Sequence, residues 1–214
     1  MKAARVGTAV IVVLLMTAGI FAQRGGGERG GGGRGGGERA GGAAAPAGQA
    51  APPLRLMSNS FNDGTVIPLK YTQAGEQASP QMAWANAPAT AQSFVLHMHD
   101  MEGARNKTSE DQLHWLVWNI PATTRALPEG LPKGDLKDGA HQTSASGDGV
   151  YRGPGAPANG PYHHYVFELF ALDTKIDVAA NPMDPFDTRA KVLAAMQGHI
   201  VGKAVYLGFF RRPE

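Results

Sequence analysis

The sequence contains no cysteine, which excludes disulfides, thiolate metal sites and lipid attachment at a cysteine, so the fold stands on its core alone. Recognisable nucleophile machinery is also missing. No Gly-x-Ser-x-Gly or Walker-type phosphate loop occurs, and Ser109, Ser144 and Ser146 lack the strand-turn-helix setting that a nucleophile elbow needs. From Gln23 to Pro53 there is neither an aromatic nor a branched apolar residue. Such a stretch cannot bury enough surface to offset the entropy of ordering, and it reads as a flexible Gly/Arg/Ala/Pro-rich tether. Its Arg-Gly character does not extend to nucleic acid, because there is no aromatic residue for stacking and Glu28 and Glu38 offset its arginines. A basic surface is lacking as well. Of 20 basic and 18 acidic side chains, six and two precede residue 54, which leaves the remainder at −2 and without electrostatic support for a nucleic-acid partner.

What precedes the tether has the form of a secretory signal over residues 1–22. Lys2 and Arg5 give a basic start, Val6 to Phe21 is an uncharged apolar run, and Ala22 offers a cleavage point. Export to the periplasm or beyond is the expectation, with membrane attachment only if this segment is retained. Residues 54–214 then make one domain, long enough for a substantial core.

Within it, residues 93–120 are the most informative stretch. Two apolar runs with the period of two expected of strands flank a polar connection: Phe94, Leu96, Met98 and Asp100 share one face, and His114, Leu116, Trp118 and Ile120 share one face of the second run. Asp100 and His114 therefore each end an apolar face. A lone buried carboxylate is costly and a nearby imidazole removes that cost, so the pair has the makings of a polar pocket at the rim of a β core. His97 and His99 point to the face opposite Asp100. Alternate histidines can hold a metal, which here would need a third ligand such as His164; they are read as partly exposed polar positions instead, and His141 and His199 as surface or cap residues.

In chain order, strands are expected over Leu54 to Phe61 and, carrying Pro68 at a sheet edge, over Thr65 to Tyr71. Trp84 is expected in the core. Between Ala122 and Val150 the Gly, Pro, Asp and Lys content predicts a long surface connection with a helical turn. A Gly-Pro loop follows at 151–162, then a strand on which His163, Tyr165, Phe167 and Leu169 share one face. One helix is expected near the end, capped by Asp187 or Thr188, spanning Ala190, Leu193, Ala194 and Gln197 and stopped by Gly198, before a last strand over Val205 to Phe210. Many short strands with Gly/Pro turns and one late helix predict a mainly β domain, an antiparallel sandwich.

Over residues 57–212 the chain resembles the phosphatidylethanolamine-binding proteins, in particular their bacterial, Raf-kinase-inhibitor-like branch. The resemblance rests on SPQMAW at 79–84, the strand ending in Asp100, HWLVWNIP at 114–121, YRGPGAP at 151–157, HHY at 163–165, ALD at 171–173 and Gly198-His199, all in the family's order. It implies a β-sandwich with a few short helices and one small cavity that accepts a phosphate or phospholipid headgroup. It places Asp100, His114 and His163 in that cavity, Gly153, Pro154, Gly155 and Pro157 in its wall, and Tyr165 beside it. The family's Asp-Pro-Asp-x-Pro segment stands here as Asp100-Met101-Glu102-Gly103-Ala104, which keeps the first acid and loses both prolines.

The functional expectation is a non-enzymatic domain, without cofactor or metal, that binds a small anionic ligand or a protein partner presenting one. Imidazolium and backbone N–H groups of the Gly-rich loop would hold the anion, with binding stronger below neutral pH. Two further readings stand beside it. One is an inhibitor or modulator of an envelope hydrolase or kinase acting through surface loops such as 122–150, and the other is a metal-dependent hydrolase built on the Asp/His set.

Overall fold

A computed structural model describes residues 51–214. The signal segment expected over 1–22 and nearly all of the tether expected over 23–53 lie outside the described residues. Among the described residues nine strands and one α-helix run in the order β1 (Arg55–Met57), β2 (Thr65–Val66), β3 (Met82–Ala85), β4 (Ser93–Asp100), β5 (Gln112–Pro121), β6 (Ala126–Leu127), β7 (His141–Thr143), β8 (His163–Leu172), α1 (Pro185–Ala195) and β9 (Ile200–Phe210). They form a three-stranded sheet, β1-β3-β6, and a six-stranded sheet, β2-β9-β8-β4-β5-β7. Every pairing is antiparallel except β2 with β9, where Thr65 lies opposite Gly208.

Strand β4 sits between β8 and β5, and all eight of its residues are buried. Its two faces serve different layers. Phe94, Leu96 and Met98 enter a core shared with Leu56, Met82, Trp84 and Leu127 of the smaller sheet. Val95 joins Leu113, Leu116 and Trp118 of β5 and Val192 and Met196 at the helix in a second core on the opposite face. A strand covered on both sides reads as a continuous apolar run rather than an alternation, and each large side chain buried here contributes about 1.5–3 kcal/mol.

The alternation expected of β5 does not hold. Trp115, Val117 and Ile120 face the first core, whereas Leu113, Leu116 and Trp118 face the second. Two bulges are responsible. The register steps from Met98 opposite Trp115 to His99 opposite Leu113, and from Phe94 opposite Ile120 to Leu96 opposite Val117, so β5 carries one extra residue at each step. One is His114; the other is Asn119, held at φ 56°. A bulge re-aims a side chain without ending the strand, and His114 escapes the face to which strict alternation assigns it.

Other expectations move by a few residues. The first strand is only Arg55–Met57, and the second is Thr65–Val66, because Pro68 has no N–H for a ladder and the chain turns into a 3-10 segment at Leu69–Tyr71. The 122–150 connection contains β6 and β7 in place of a helical turn. The helix is capped by Asp184, whose side chain accepts from Asp187 N at 3.0 Å, three residues before the expected cap; Pro185 fits because the first helical position needs no donor. Gly198, at φ 82°, makes the turn into β9, which begins at Ile200 rather than Val205. Trp84 is buried against Phe94, their rings 5.2 Å apart. Among the described residues no helix is long and apolar enough to cross a membrane.

Candidate functional site

Three pieces of chain meet at one end of the six-stranded sheet. Asp100 ends β4 directly opposite Tyr165 of β8, which puts His163, two residues earlier on the same face, beside the carboxylate. The bulge in β5 turns His114 toward the same point. The 151–157 loop closes the side, fixed by Arg152 N donating to the His114 carbonyl at 3.1 Å and by Gly155 N and Ala156 N donating to the Tyr165 hydroxyl at 3.1 Å each. Between them lies a cavity of about 170 Å³ lined by Gln73, Asp100, Gln112, His114, Arg152, Gly155, Ala156, Pro157, His163 and Tyr165.

The hydrogen bonds assign the donors. His163 Nδ1 lies 2.8 Å from Asp100 Oδ2 and donates to it, while Glu102 N donates to Asp100 Oδ1 at 3.0 Å. His114 Nδ1 donates to the Arg152 carbonyl at 2.9 Å, so its Nε2 is the free atom, 4.0 Å from the same Asp100 Oδ2. Both rings thus spend Nδ1 on the protein, and both histidines line the cavity.

Burial pushes the His114 imidazole below its ordinary pKa and outweighs the Arg152 carbonyl and the Asp100 carboxylate, which favour the charged ring. His114 is therefore neutral near pH 7. Tyr165 is pushed well up by burial and by the Asp100 charge and stays a phenol. Glu102, despite burial that opposes its charge, is held below the usual carboxylate range by the backbone N–H and ring of His164; its Oε2 accepts from His164 N at 2.7 Å.

The expected residues fall into two groups. Asp100, His114, His163, Gly155, Pro157 and Tyr165 line the cavity. Gly153 and Pro154 stand behind it, their carbonyls accepting from Gln73 Nε2 at 2.7 Å and Gln73 N at 2.9 Å. Sequence reasoning missed Gln73, Gln112 and Arg152. Gln112 pairs with Asp100 across the ladder and Arg152 adjoins the Gly-Pro loop, so both had a local signal; Gln73 comes from a distant segment and had none. Metal-competent atoms of Asp100, Glu102 and His163 lie within 4.8 Å of one another, so the rim has donors for a cation as well as for an anion.

His97 and His99 are not partly exposed: both are buried, at 4% and 8% accessibility, on the opposite face of the sheet. His164 does not join them. It pairs with Glu102, and the group beside His97 and His99 is Glu168, which follows from the β4–β8 register of His97 opposite Glu168.

The model of the phosphatidylethanolamine-binding protein family matches residues 57–211. The chain belongs to the phosphatidylethanolamine-binding protein family. It is 37% identical over 161 residues to a UPF0098 protein of Methanothermobacter thermautotrophicus, covering 74% of this chain and 99% of the relative. It is 35% identical over 154 residues to the UPF0098 protein YbhB of Escherichia coli, covering 66% and 95%. Among solved structures, the putative phosphatidylethanolamine-binding protein homologue CT736 of Chlamydia trachomatis superposes with a TM-score of 0.64 at 28% identity, covering 75% of this chain and 98% of the other. E. coli YbcL, described as a new member of the mammalian family, shares the fold with a TM-score of 0.59 at 23% identity, covering 75% and 99%. The mainly β architecture expected from the sequence is the architecture of these family members.

Proposed function

We propose that this protein is a non-enzymatic binding domain that takes a small phosphorylated or anionic group, of the phosphate or phospholipid-headgroup type, into the Asp100–His114–His163 cavity. The observation that carries this reading is the convergence of His114 and His163 on one small cavity that Arg152 also lines. About 170 Å³ is the space of about five or six waters, which suits a headgroup and leaves no room for acyl chains.

Arg152 supplies a guanidinium, and Asp100 holds His163 in one tautomer and orientation. Asp100 also repels an anion, so the ligand must approach from the His163 and Arg152 side or carry an amine that faces Asp100. A phosphoethanolamine-type zwitterion satisfies both signs. Neutral His114 offers Nε2 as an acceptor to such an amine, and charging this ring on acidification strengthens anion binding.

The signal-like pattern that the sequence carries over residues 1–22 supports placing this binding in the periplasm or outside the cell, testable by fractionating cells that produce the full chain. For the pocket, calorimetric titration with phosphoethanolamine and with inorganic phosphate compares the natural protein with His163→Ala and His114→Ala. Loss of heat in both variants supports the reading; unchanged binding in both removes it.

A further inference from the structure

On the face of the six-stranded sheet opposite the headgroup cavity, three side chains converge without making ordinary hydrogen bonds to one another. His97 is buried at 4% accessibility and neither of its ring nitrogens has a hydrogen-bond partner; His99 Nε2 is buried and equally unpartnered. Leaving a polar group unpaired in a protein interior is costly, and the group that faces both rings is the Glu168 carboxylate.

His97 Nδ1 lies 3.6 Å and His99 Nε2 3.3 Å from the same oxygen, Glu168 Oε2. Tetrahedral ligands at about 2.0–2.1 Å from a zinc ion stand about 3.4 Å from one another, so each imidazole stands at about ligand spacing from the carboxylate oxygen, and ligand atoms of all three residues lie within 4.8 Å of one another. The two rings are stacked, their centroids 4.4 Å apart and their planes within 2°, so one ring must rotate about its Cβ–Cγ bond for both in-plane lone pairs to meet at the ion. We propose that His97 Nδ1, His99 Nε2 and Glu168 Oε2 form a binding site for one divalent transition-metal ion of the zinc type.

The surroundings fit this role. His99 Nδ1 donates to Asp111 Oδ2, which fixes the tautomer and leaves Nε2 as the ligand atom, and Asp111 is anchored by Arg189 of α1, whose Nη1 is 2.6 Å from Asp111 Oδ1. A carboxylate behind a ligating histidine raises its basicity and orients its ring. Lys203 Nζ sits 2.5 Å from Glu168 Oε1, the oxygen not facing the imidazoles, and half its side chain is exposed, so it can withdraw as the ion enters. Imidazole and carboxylate without thiolate suit zinc, cobalt, nickel or copper better than calcium or magnesium. Three protein ligands leave one position for water. By linking β4 to β8, the ion would stabilise the centre of the sheet in proportion to its free concentration.

The test uses the untagged full chain, stripped with chelator and titrated with zinc alone by calorimetry, then with cobalt while the visible spectrum is followed. One ion per chain and intense tetrahedral cobalt bands are expected. His97→Ala and Glu168→Gln should weaken uptake by more than about tenfold, whereas His163→Ala should leave it intact. Absence of uptake overturns the proposal. So does uptake that survives Glu168→Gln and is lost in His163→Ala, which would assign the ion to the Asp100, Glu102 and His163 rim. X-ray absorption on the zinc-loaded natural chain keeps the test independent of variant folding: two imidazoles and one carboxylate oxygen support the site, and fewer than two imidazoles refute it.

Discussion

Asp100 and His163 stand on neighbouring strands with Nδ1 of the ring 2.8 Å from Oδ2 of the carboxylate, and both oxygens of Asp100 are occupied because Oδ1 accepts from Glu102 N at 3.0 Å. The acid is thus a positioning group for the histidine and a brace for the turn that leaves β4. Asp100→Ala frees the His163 ring and leaves a backbone N–H without its acceptor, a change worth about 1–3 kcal/mol where the group stays buried. Denaturant unfolding should show a loss in that range, and phosphoethanolamine binding should fall with it. Retained stability would mean that the turn is held by other contacts.

His114 ties stability to pH. Its pKa in the folded protein lies below its ordinary value because burial disfavours the charged ring, so the unfolded chain takes up a proton first, near pH 6.5, on acidification. The contribution is fully present above about pH 6.5, falls as pH drops below it, and stops falling once the folded ring also protonates. Urea midpoints measured from about pH 7.5 to about pH 5 should decline less steeply in His114→Gln than in the natural protein. An identical slope would contradict a neutral buried His114.

Gly153 is a packing position rather than a ligand-binding one. A Cβ there would lie 2.6 Å from Tyr71 O and 2.8 Å from Thr72 Cα, both backbone atoms that cannot turn aside. Gly153→Ala should therefore push the 151–157 loop outward, with a stability loss of about 1–3 kcal/mol and weaker ligand binding. Gly160→Ala, whose Cβ would meet nothing closer than 3.5 Å, is the matched control and should change neither. Equal effects of the two substitutions would contradict this account.

Gln142 holds the long connection to the core. Its Oε1 accepts from buried Trp115 Nε1 at 3.0 Å, and its Nε2 donates to the carbonyls of Pro132 and Gly134 at 2.6 and 2.7 Å. Gln142→Ala leaves those groups unpaired and opens a void, and should cost about 2–4 kcal/mol. Hydrogen exchange should rise first at 132–143, with little change at β4 and β8.

Much of the fold was legible because its signals are local. The apolar face of β4, the turn residues and the late helix, though not its cap, follow from spacing and propensity, and the ordered motifs from Ser79 to His199 carried the family. What failed was register. The extra residues at His114 and Asn119 leave no mark in a hydrophobic pattern, so β5 read as a simple alternation, and the missing donor of Pro68 cut a strand that its apolar residues seemed to continue. At the site, Asp100 and the two histidines were visible as polar residues at the ends of apolar runs, whereas Gln73 reaches the cavity from a sequence-distant turn. The pairing of His97 and His99 with Glu168 needed the β4–β8 register, which sequence alone does not supply.

The central claim, that the Asp100–His114–His163 cavity accepts a phosphorylated group, is tested most directly by following the histidine ring resonances of the full chain by NMR during titration with phosphoethanolamine. Saturable shifts at His114 and His163, with His97, His99 and His199 unmoved, are predicted. Unmoved His114 and His163 rings at millimolar ligand, or equal drift of all seven histidines, would contradict it.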